Sequence, residues 1–181
     1  MKEEVGFIGK IFGRKAGKVE KKAIKIGKEN SPLYASELTK GKGTWAYLIT
    51  REPKEKYVGK DVAIAVQTNR PIVRSVREYL EKTGVSTHLI LITTHENPKN
   101  VKELDDYDEK EWGAVIQDFM DVITKIQTEV GNVEFHFFFA APASLTMAFG
   151  VIFGNFWNAH IYNWVKGENT YNKVLKLPLR L

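Results

Sequence analysis

Residues 135–165 read FHFFFAAPASLTMAFGVIFGNFWNAHIYNWV, a run of 31 residues without Asp, Glu, Lys or Arg. The run is long enough to cross a bilayer, which takes about 20 apolar residues. Pro142 would interrupt such a span, His136, Asn155 and His160 are polar residues within it, and no pair of basic clusters flanks it. The composition therefore favours the interior of a soluble fold, and we do not expect the chain to associate with a membrane.

Read as part of a soluble fold, the run divides into a strand, a turn, a helix and a second strand. Aromatic density at 133–139 is typical of a strand, and the small residues at 140–142 indicate a turn. Ser144 is placed to cap a helix over 145–153 through its hydroxyl. A second strand at 159–164 completes a unit of the length that a strand-helix-strand crossover requires.

The chain before this run alternates in the same way. Val62 to Gln67 and His88 to Thr93 are short, uncharged and apolar, which is typical of strands buried on both faces of a parallel sheet. Helical spacing of apolar residues predicts one helix over 72–82 and a longer one over 112–126. Since helices are the usual crossovers between parallel strands, we expect an α/β fold. Its predicted form is a Rossmann-like, mainly parallel sheet with helices on both faces.

The first third of the chain is basic. Residues 1–60 contain 15 Lys and Arg against 7 Asp and Glu, whereas residues 61–181 contain 12 against 15. We therefore divide the chain into a basic N-terminal arm, 1–60, and an α/β domain, 61–181. The arm could face an anionic partner, or it could be a solvated lysine-rich segment. Within it, 44–50 is predicted as a strand, and 19–26 as a strand or a helical turn.

Three loops are expected to meet at one edge of the predicted sheet, because the carboxyl ends of parallel strands lie together. The first loop carries Thr68, Asn69 and Arg70, and the second carries Thr94 and His95. The third, residues 140–144, precedes a helix whose backbone amides favour anions. Together they predict a binding surface for a polar, anionic ligand. Each side chain could instead have a local role, as a helix cap, a surface ion pair or a solvated loop residue.

Motifs for catalysis are not found in the sequence. It has no GxGxxG after a strand, no GxxxxGK[ST] loop and no GxSxG elbow. Cysteine is absent, and no two histidines have the spacing of metal ligands on a helix; His88 and His136 lie inside predicted strands, where we expect core histidines. The acids at 105–111 are expected to be a solvated helix start rather than a cation site. We therefore expect no enzyme activity, no metal and no cofactor, and the lack of cysteine suits the cytoplasm.

The carboxyl-terminal part of the chain resembles the SAVED domain family. Shared features are a strand with His136, the turn Pro142-Ala143-Ser144-Leu145, a helix ending near Gly150, and a strand with Tyr162 and Trp164. The preceding layout of strands and helices is also similar, so that the resemblance covers about residues 60–177. One departure is that residues 1–60 are too short for the first α/β unit of that family. The resemblance then leaves three alternatives: a reduced first unit, a truncated first unit, or a single CARF-like unit with an added arm.

The resemblance implies a CARF-like sensor of a cyclic oligonucleotide in bacterial antiviral defence, in CBASS or type III CRISPR systems. It implies ligand contacts from the three loops, including Pro142, Ala143, Ser144 and Leu145 of the third. Trp164 is then either a base-stacking residue or a core residue. The implied partners are the cyclic ligand and an effector or further copies of the chain, with no long nucleic acid. A ring nuclease that cleaves its ligand, and a membrane-associated defence subunit, are the alternatives.

Overall fold

The computed structural model describes residues 23–178 except 28–29, 53–60, 86 and 155–157. These residues form one eight-stranded sheet and three helices. The strands are β1 Ile24–Ile26, β2 Leu33–Lys40, β3 Trp45–Thr50, β4 Val62–Gln67, β5 His88–Thr93, β6 Phe135–Ala140, β7 Ala159–Val165 and β8 Thr170–Leu177. The helices are α1 Val73–Thr83, α2 Glu109–Val130 and α3 Ala143–Phe153.

The sheet is mixed, with strand order β1-β2-β3-β5-β4-β6-β7-β8. Strands β5, β4, β6 and β7 are parallel neighbours, whereas the pairings β1–β2, β2–β3, β3–β5 and β7–β8 are antiparallel. The prediction of a mainly parallel sheet is therefore wrong. The reason is that each parallel neighbour needs a helical crossover, and the three helices provide three, enough for four parallel strands.

Helices cover both faces of the sheet, as predicted. On one face, α2 and α3 pack on β4 and β6 through a core that includes Phe119, Phe137 and Phe149. The rings of Phe119 and Phe149 stack with their centroids 4.1 Å apart. On the other face, α1 packs through Val76 and Leu80 on the small and aliphatic side chains of β4 and β5. Every residue of β4 and β5 is buried, which explains why their sequences are largely apolar and contain no Asp, Glu, Lys or Arg.

Two strands were not predicted. Strand β2 mixes buried and exposed residues, and β8 exposes most of its side chains, including Val174 and Leu175. The strand predicted at 44–50 is confirmed as β3, and of the segment 19–26 only Ala23 to Ile26 lie within the described residues. Strands from both sides of position 60 share the sheet through the pairing of β3 with β5. The division of the chain into 1–60 and 61–181 stays a prediction.

A buried carboxylate joins the β2–β3 turn to α2. Both carboxylate oxygens of Asp118 accept backbone hydrogen bonds, at 3.0 Å from Lys42, 2.8 Å from Gly43 and 2.9 Å from Thr44. The hydroxyl of Thr44 donates a fourth bond at 3.1 Å. A Cβ at Gly41 would lie 2.2 Å from the carboxylate carbon, so the close approach requires glycine there. The basic first third of the chain is thus tied to a helix of the second part.

Ionisable side chains meet at the amino ends of β6 and β7. The Nδ1 of His136 lies 2.8 Å from the hydroxyl of Tyr162, and the ring of His160 packs beside it at 5.0 Å. Glu134 bonds the Nε2 of His160. Burial and the neighbouring His160 lower the pKa of His136 to about 4. The expectation that His136 is a satisfied core histidine is confirmed.

The depressed pKa of His136 predicts that acid destabilises the fold. The unfolded chain takes up a proton near pH 6.5 and the folded chain near pH 4, so stability falls as the pH drops between these values. The slope should approach about 1.4 kcal/mol per pH unit from this residue alone. Denaturant titrations from pH 4 to pH 7 should show a smaller slope in His136→Gln, whose amide can still bond Tyr162. An unchanged slope would assign the acid sensitivity to other groups.

Among the helices of the described residues, none is both long enough and apolar enough to cross a membrane. The uncharged run of 135–165 instead contains β6, α3 and β7, two strands and a helix of the α/β layer. Burial explains the apolar character of β6, which lies in the centre of the sheet, and of the face of α3 that carries Leu145, Phe149 and Phe153, whereas Met147 and Val151 of α3 are exposed.

Candidate functional site at the carboxyl edge of the parallel strands

The strand order creates a crevice between the carboxyl ends of β4 and β6. These strands are neighbours, yet β4 leads through α1 to β5 on one side, whereas β6 leads through α3 to β7 on the other. Loops that leave adjacent strands in opposite directions separate, and ligands of α/β sheets bind in the resulting crevice. The loops after β4 and β6 therefore form the walls of the candidate site.

The two loops are hydrogen-bonded to each other at their base. The backbone amides of Thr68 and Asn69 donate to the carbonyl of Ala140, at 2.9 Å and 3.1 Å. Thr68 is buried and its hydroxyl lies 3.1 Å from Oδ1 of Asn69, so Thr68 shapes the loop. Asn69 and Arg70 are exposed. Of the three residues predicted in the first loop, these two are the ones available to a ligand.

Gln67 fixes the same loop from below and was not singled out from the sequence. Its Oε1 accepts a bond from the amide of Ile72 at 3.1 Å, and its Nε2 donates to the carbonyl of Pro98 at 3.0 Å. The side chain is fully buried. Gln67 thereby links the start of α1 to the loop after β5. The sequence signal that could have identified Gln67 is its position as a polar residue at the end of an otherwise apolar strand.

The loop after β5 uses its polar side chains internally. Thr94 is buried, and its hydroxyl bonds both the carbonyl and the amide of Lys102. His95 accepts a bond from the amide of Asn97 at its Nδ1, at 2.9 Å. These contacts give Thr94 and His95 a role in holding the loop, and their contact with a ligand stays a prediction.

The third loop leads directly into α3. Pro142 is the N-cap residue, with φ −55° and ψ 147°, and the helix begins at Ala143. The prediction that Ser144 caps the helix is wrong, because proline already fixes the extended backbone at 142 and places Ser144 inside the first turn. Ala143 and Ser144 are exposed, whereas the side chain of Leu145 is fully buried and leaves only its backbone amide to a ligand.

The first amides of α3 are available to an anion. The first helical bond described runs from the amide of Thr146 to the carbonyl of Pro142, at 3.0 Å. The amides of Ala143, Ser144 and Leu145 come before it and belong to the group that has no partner within a helix. Helix α3 has no side-chain cap and no acidic residue in its first turn. Its positive dipole end is therefore not neutralised.

The three helix starts at this edge differ in charge. Helix α1, like α3, has no side-chain cap and no acid in its first turn. Helix α2 is capped by Asp108, which accepts from the amides of Lys110 and Glu111, and it has Glu109 and Glu111 in its first turn. The expected helix-start role of the acids at 105–111 is confirmed for Asp108. An anion is thus favoured between α1 and α3, and disfavoured at α2.

Arg70 and Trp164 meet across this part of the edge. The guanidinium carbon of Arg70 lies 5.8 Å from the centre of the Trp164 ring, within the range of a cation–π contact. The ring of Trp164 packs edge-on against Tyr171 at 4.9 Å. The hydroxyl of Tyr171 lies 3.2 Å from that of Ser75 in the first turn of α1. Strand β7, helix α1 and the loop after β4 are therefore joined by aromatic and polar contacts beside the crevice.

The tyrosines behind Trp164 stay protonated at neutral pH. Burial raises the pKa of Tyr171, against smaller opposing effects of the Ser75 hydrogen bond and Arg70. Burial also raises the pKa of Tyr79, and that of Tyr162 to about 12. Rings of Tyr79, Phe138, Tyr162 and Tyr171 pack edge-on or stacked at 4.4–5.9 Å. This group is a rigid support for Trp164.

No group of three or more His, Asp or Glu residues suited to a metal ion occurs within the described ranges. The features at this edge of the sheet are one guanidinium, two helix starts, an amide side chain and an indole. Such a set can bind an anion with an attached aromatic group.

Fold and edge geometry together define an α/β domain with a candidate ligand site at its topological switch point. The chain belongs to the SAVED family: the model for the "SMODS-associated and fused to various effectors sensor domain" matches residues 7–177. The match includes most of the basic first third, which the resemblance at 60–177 did not cover. No curated protein matches the chain.

Two solved structures of the Acinetobacter baumannii Cap4 SAVED/CARF-domain containing receptor are similar to this fold. The structure with the cyclic trinucleotide 3′3′3′-cAAA aligns with a TM-score of 0.51 at 15% identity. The structure with 2′3′3′-cAAA aligns with a TM-score of 0.52 at 16% identity. Each alignment covers 67% of this chain and 25% of the Cap4 chain. The chain therefore spans about a quarter of the length of these receptors.

Proposed function

We propose that the protein is a receptor for a cyclic oligonucleotide of the cyclic oligoadenylate type. The observation that carries the proposal is the crevice between α1 and α3, where two uncapped helix starts and Arg70 favour anions beside the half-buried indole of Trp164. Membership of a sensor-domain family supports it, as do the cyclic trinucleotides bound by the two Cap4 receptors.

In the proposed complex, phosphodiester groups accept hydrogen bonds from the first amides of α3 and from Arg70. A guanidinium can bond two oxygens of one phosphate, which fixes its orientation. Asn69 precedes Arg70 in the same loop and is exposed, so its side-chain amide can bond a base edge or a sugar hydroxyl. A base attached to the bound phosphate lies over Trp164.

We propose that the protein binds its ligand without cleaving it and then transmits the signal to an effector. A change at the crevice reaches α1, β7 and β8 through Trp164, Tyr171 and Ser75. We propose that this change promotes assembly with further copies of the chain or with an effector subunit in antiviral defence, in the cytoplasm. Sedimentation with and without ligand would show such assembly.

Titration calorimetry with 3′3′3′-cAAA, 2′3′3′-cAAA and cyclic di- and tetra-adenylate tests the proposal. We expect at least one ring to bind, and Arg70→Ala to weaken it about tenfold or more, because a charge-assisted contact to phosphate is lost. Lys125→Ala removes the same charge from the far part of α2 and should leave binding unchanged. Chromatography of the ligand after prolonged incubation should recover it intact.

Absence of binding across all four rings would refute the proposed function. Equal losses in Arg70→Ala and Lys125→Ala would mean that net charge, and not the crevice, attracts the ligand. Recovery of linear oligonucleotides would show that the protein cleaves its ligand and is a ring nuclease.

A further inference from the structure

The guanidinium of Arg70 rests on an indole although it lies on the surface. Arg70 is exposed, and among the described residues no carboxylate forms an ion pair with it. Its charge instead lies over the ring of Trp164, 5.8 Å from the ring centre. A planar ligand that stacks on this side of the ring would have to displace the guanidinium.

Trp164 is held in place from behind. It is half-buried, its ring packs on Tyr171 at an interplanar angle of 70°, and Tyr171 contacts Tyr79, Phe138 and Ser75. Tyr171 is itself buried. The indole is therefore a fixed platform, whereas the exposed side chain of Arg70 is able to move, so that access to the ring depends on where Arg70 lies.

We propose that Arg70 is a gate: in the free protein it closes the base-stacking surface of Trp164, and a phosphate in the crevice opens it. The inference rests on the proposed function, because it assigns a regulatory role to the same site. A phosphate beside the first amides of α3 offers Arg70 a charge-assisted bond that is stronger than its contact with the indole. When Arg70 turns to the phosphate, the ring is free for the base of the same nucleotide.

The gate makes base stacking conditional on phosphate. Adenosine brings a base without a phosphate, so it must displace Arg70 from the ring with no compensating bond. A cyclic oligoadenylate brings both groups, so Arg70 becomes a ligand contact. Removal of the guanidinium should therefore act in opposite directions on the two ligands, which a residue that only attracts phosphate would not do.

The test compares Arg70→Gln with the unmodified protein. Adenosine affinity, measured by titration followed by NMR, should rise by about two- to fivefold in Arg70→Gln, which corresponds to a cation–π contact at an exposed site. Affinity for 3′3′3′-cAAA should fall by about tenfold or more. Lys125→Gln is the matched charge control and should alter neither, while Trp164→Leu should lose adenosine binding in the Arg70→Gln background.

Fluorine NMR of protein labelled with 5-fluorotryptophan gives a second readout. The Trp164 resonance is assigned by its loss in Trp164→Phe. It should shift on addition of 3′3′3′-cAAA, and it should already be shifted in ligand-free Arg70→Gln. An adenosine affinity that is unchanged or lower in Arg70→Gln overturns the gate. Should no cyclic ring bind the unmodified protein, the proposed function fails, and the adenosine comparison still decides whether Arg70 covers the ring.

Discussion

Replacing Ser144 by aspartate is expected to lower the affinity for a cyclic trinucleotide by about a hundredfold or more and to leave the fold slightly more stable. Ser144 is the second residue of α3 and is exposed at the crevice. A carboxylate there repels a phosphate a few ångströms away, at a cost of about 3–4 kcal/mol near a protein surface. The same carboxylate interacts favourably with the helix start, by about 0.3–1 kcal/mol. Calorimetry and thermal denaturation measure the two effects.

Because affinity should fall while stability rises, a binding defect at this position can be told from a folding defect. Ser144→Asn keeps the size without the charge and should bind within a few-fold of the unmodified protein. A loss of binding in Ser144→Asp that accompanies a lower melting temperature would attribute the defect to misfolding. If a stable Ser144→Asp protein retains its affinity, the start of α3 does not belong to the ligand site.

Substitution of Asp118 by alanine is expected to destabilise the fold by about 3–5 kcal/mol. The carboxylate accepts four hydrogen bonds from Lys42, Gly43 and Thr44, and it is buried between α2 and the β2–β3 turn. Its removal leaves the buried amide of Thr44 and the part-buried amides of Lys42 and Gly43 without their acceptor, and a buried amide without an acceptor costs about 1–3 kcal/mol. The midpoint of urea unfolding, followed by circular dichroism, measures the change.

Asp121 provides the matched control on the same helix. It is exposed, and its carboxylate accepts one bond from Gln117, so Asp121→Ala should change stability by less than about 0.5 kcal/mol. Gly41→Ala should act in the same direction as Asp118→Ala, since the added methyl group would collide with the carboxylate. Stability within 1 kcal/mol of the unmodified protein in Asp118→Ala would show that the turn finds other acceptors.

The central part of the fold was predictable because burial on both faces produces an unmistakable sequence. Val62–Gln67 and His88–Thr93 were predicted with their final bounds. Of the flanking antiparallel strands, β2 and β8 were not predicted, since β8 is largely exposed and β2 is partly exposed, and neither has a sustained apolar pattern. Pairing partners such as β3 and β5 are distant in sequence, so no local pattern reveals them.

The sequence predicted which edge of the sheet carries the candidate site, but it did not predict which side chains contact one another there. The topology rule brought the loops after β4 and β6 together, as the bonds to Ala140 confirm. The rule could not show that the hydroxyl of Thr94 bonds the backbone of Lys102, because this depends on how the loop folds. It also could not show that Arg70 lies over Trp164, because this depends on packing between segments far apart in sequence. Gln67 was likewise counted as the end of a strand, and its bonds became visible only in three dimensions.

The pairing of β3 with β5 has a practical consequence for recombinant work. A shortened protein that starts at Asp61 would leave the edge of β5 open, and HLILIT at 88–93 has no Asp, Glu, Lys, Arg, proline or glycine. An uncharged, flat edge of this kind pairs with other chains and promotes aggregation. Strands β2 and β3, which belong to the basic first third, therefore keep this edge paired and prevent such aggregation. Fragments intended for expression should retain at least these two strands.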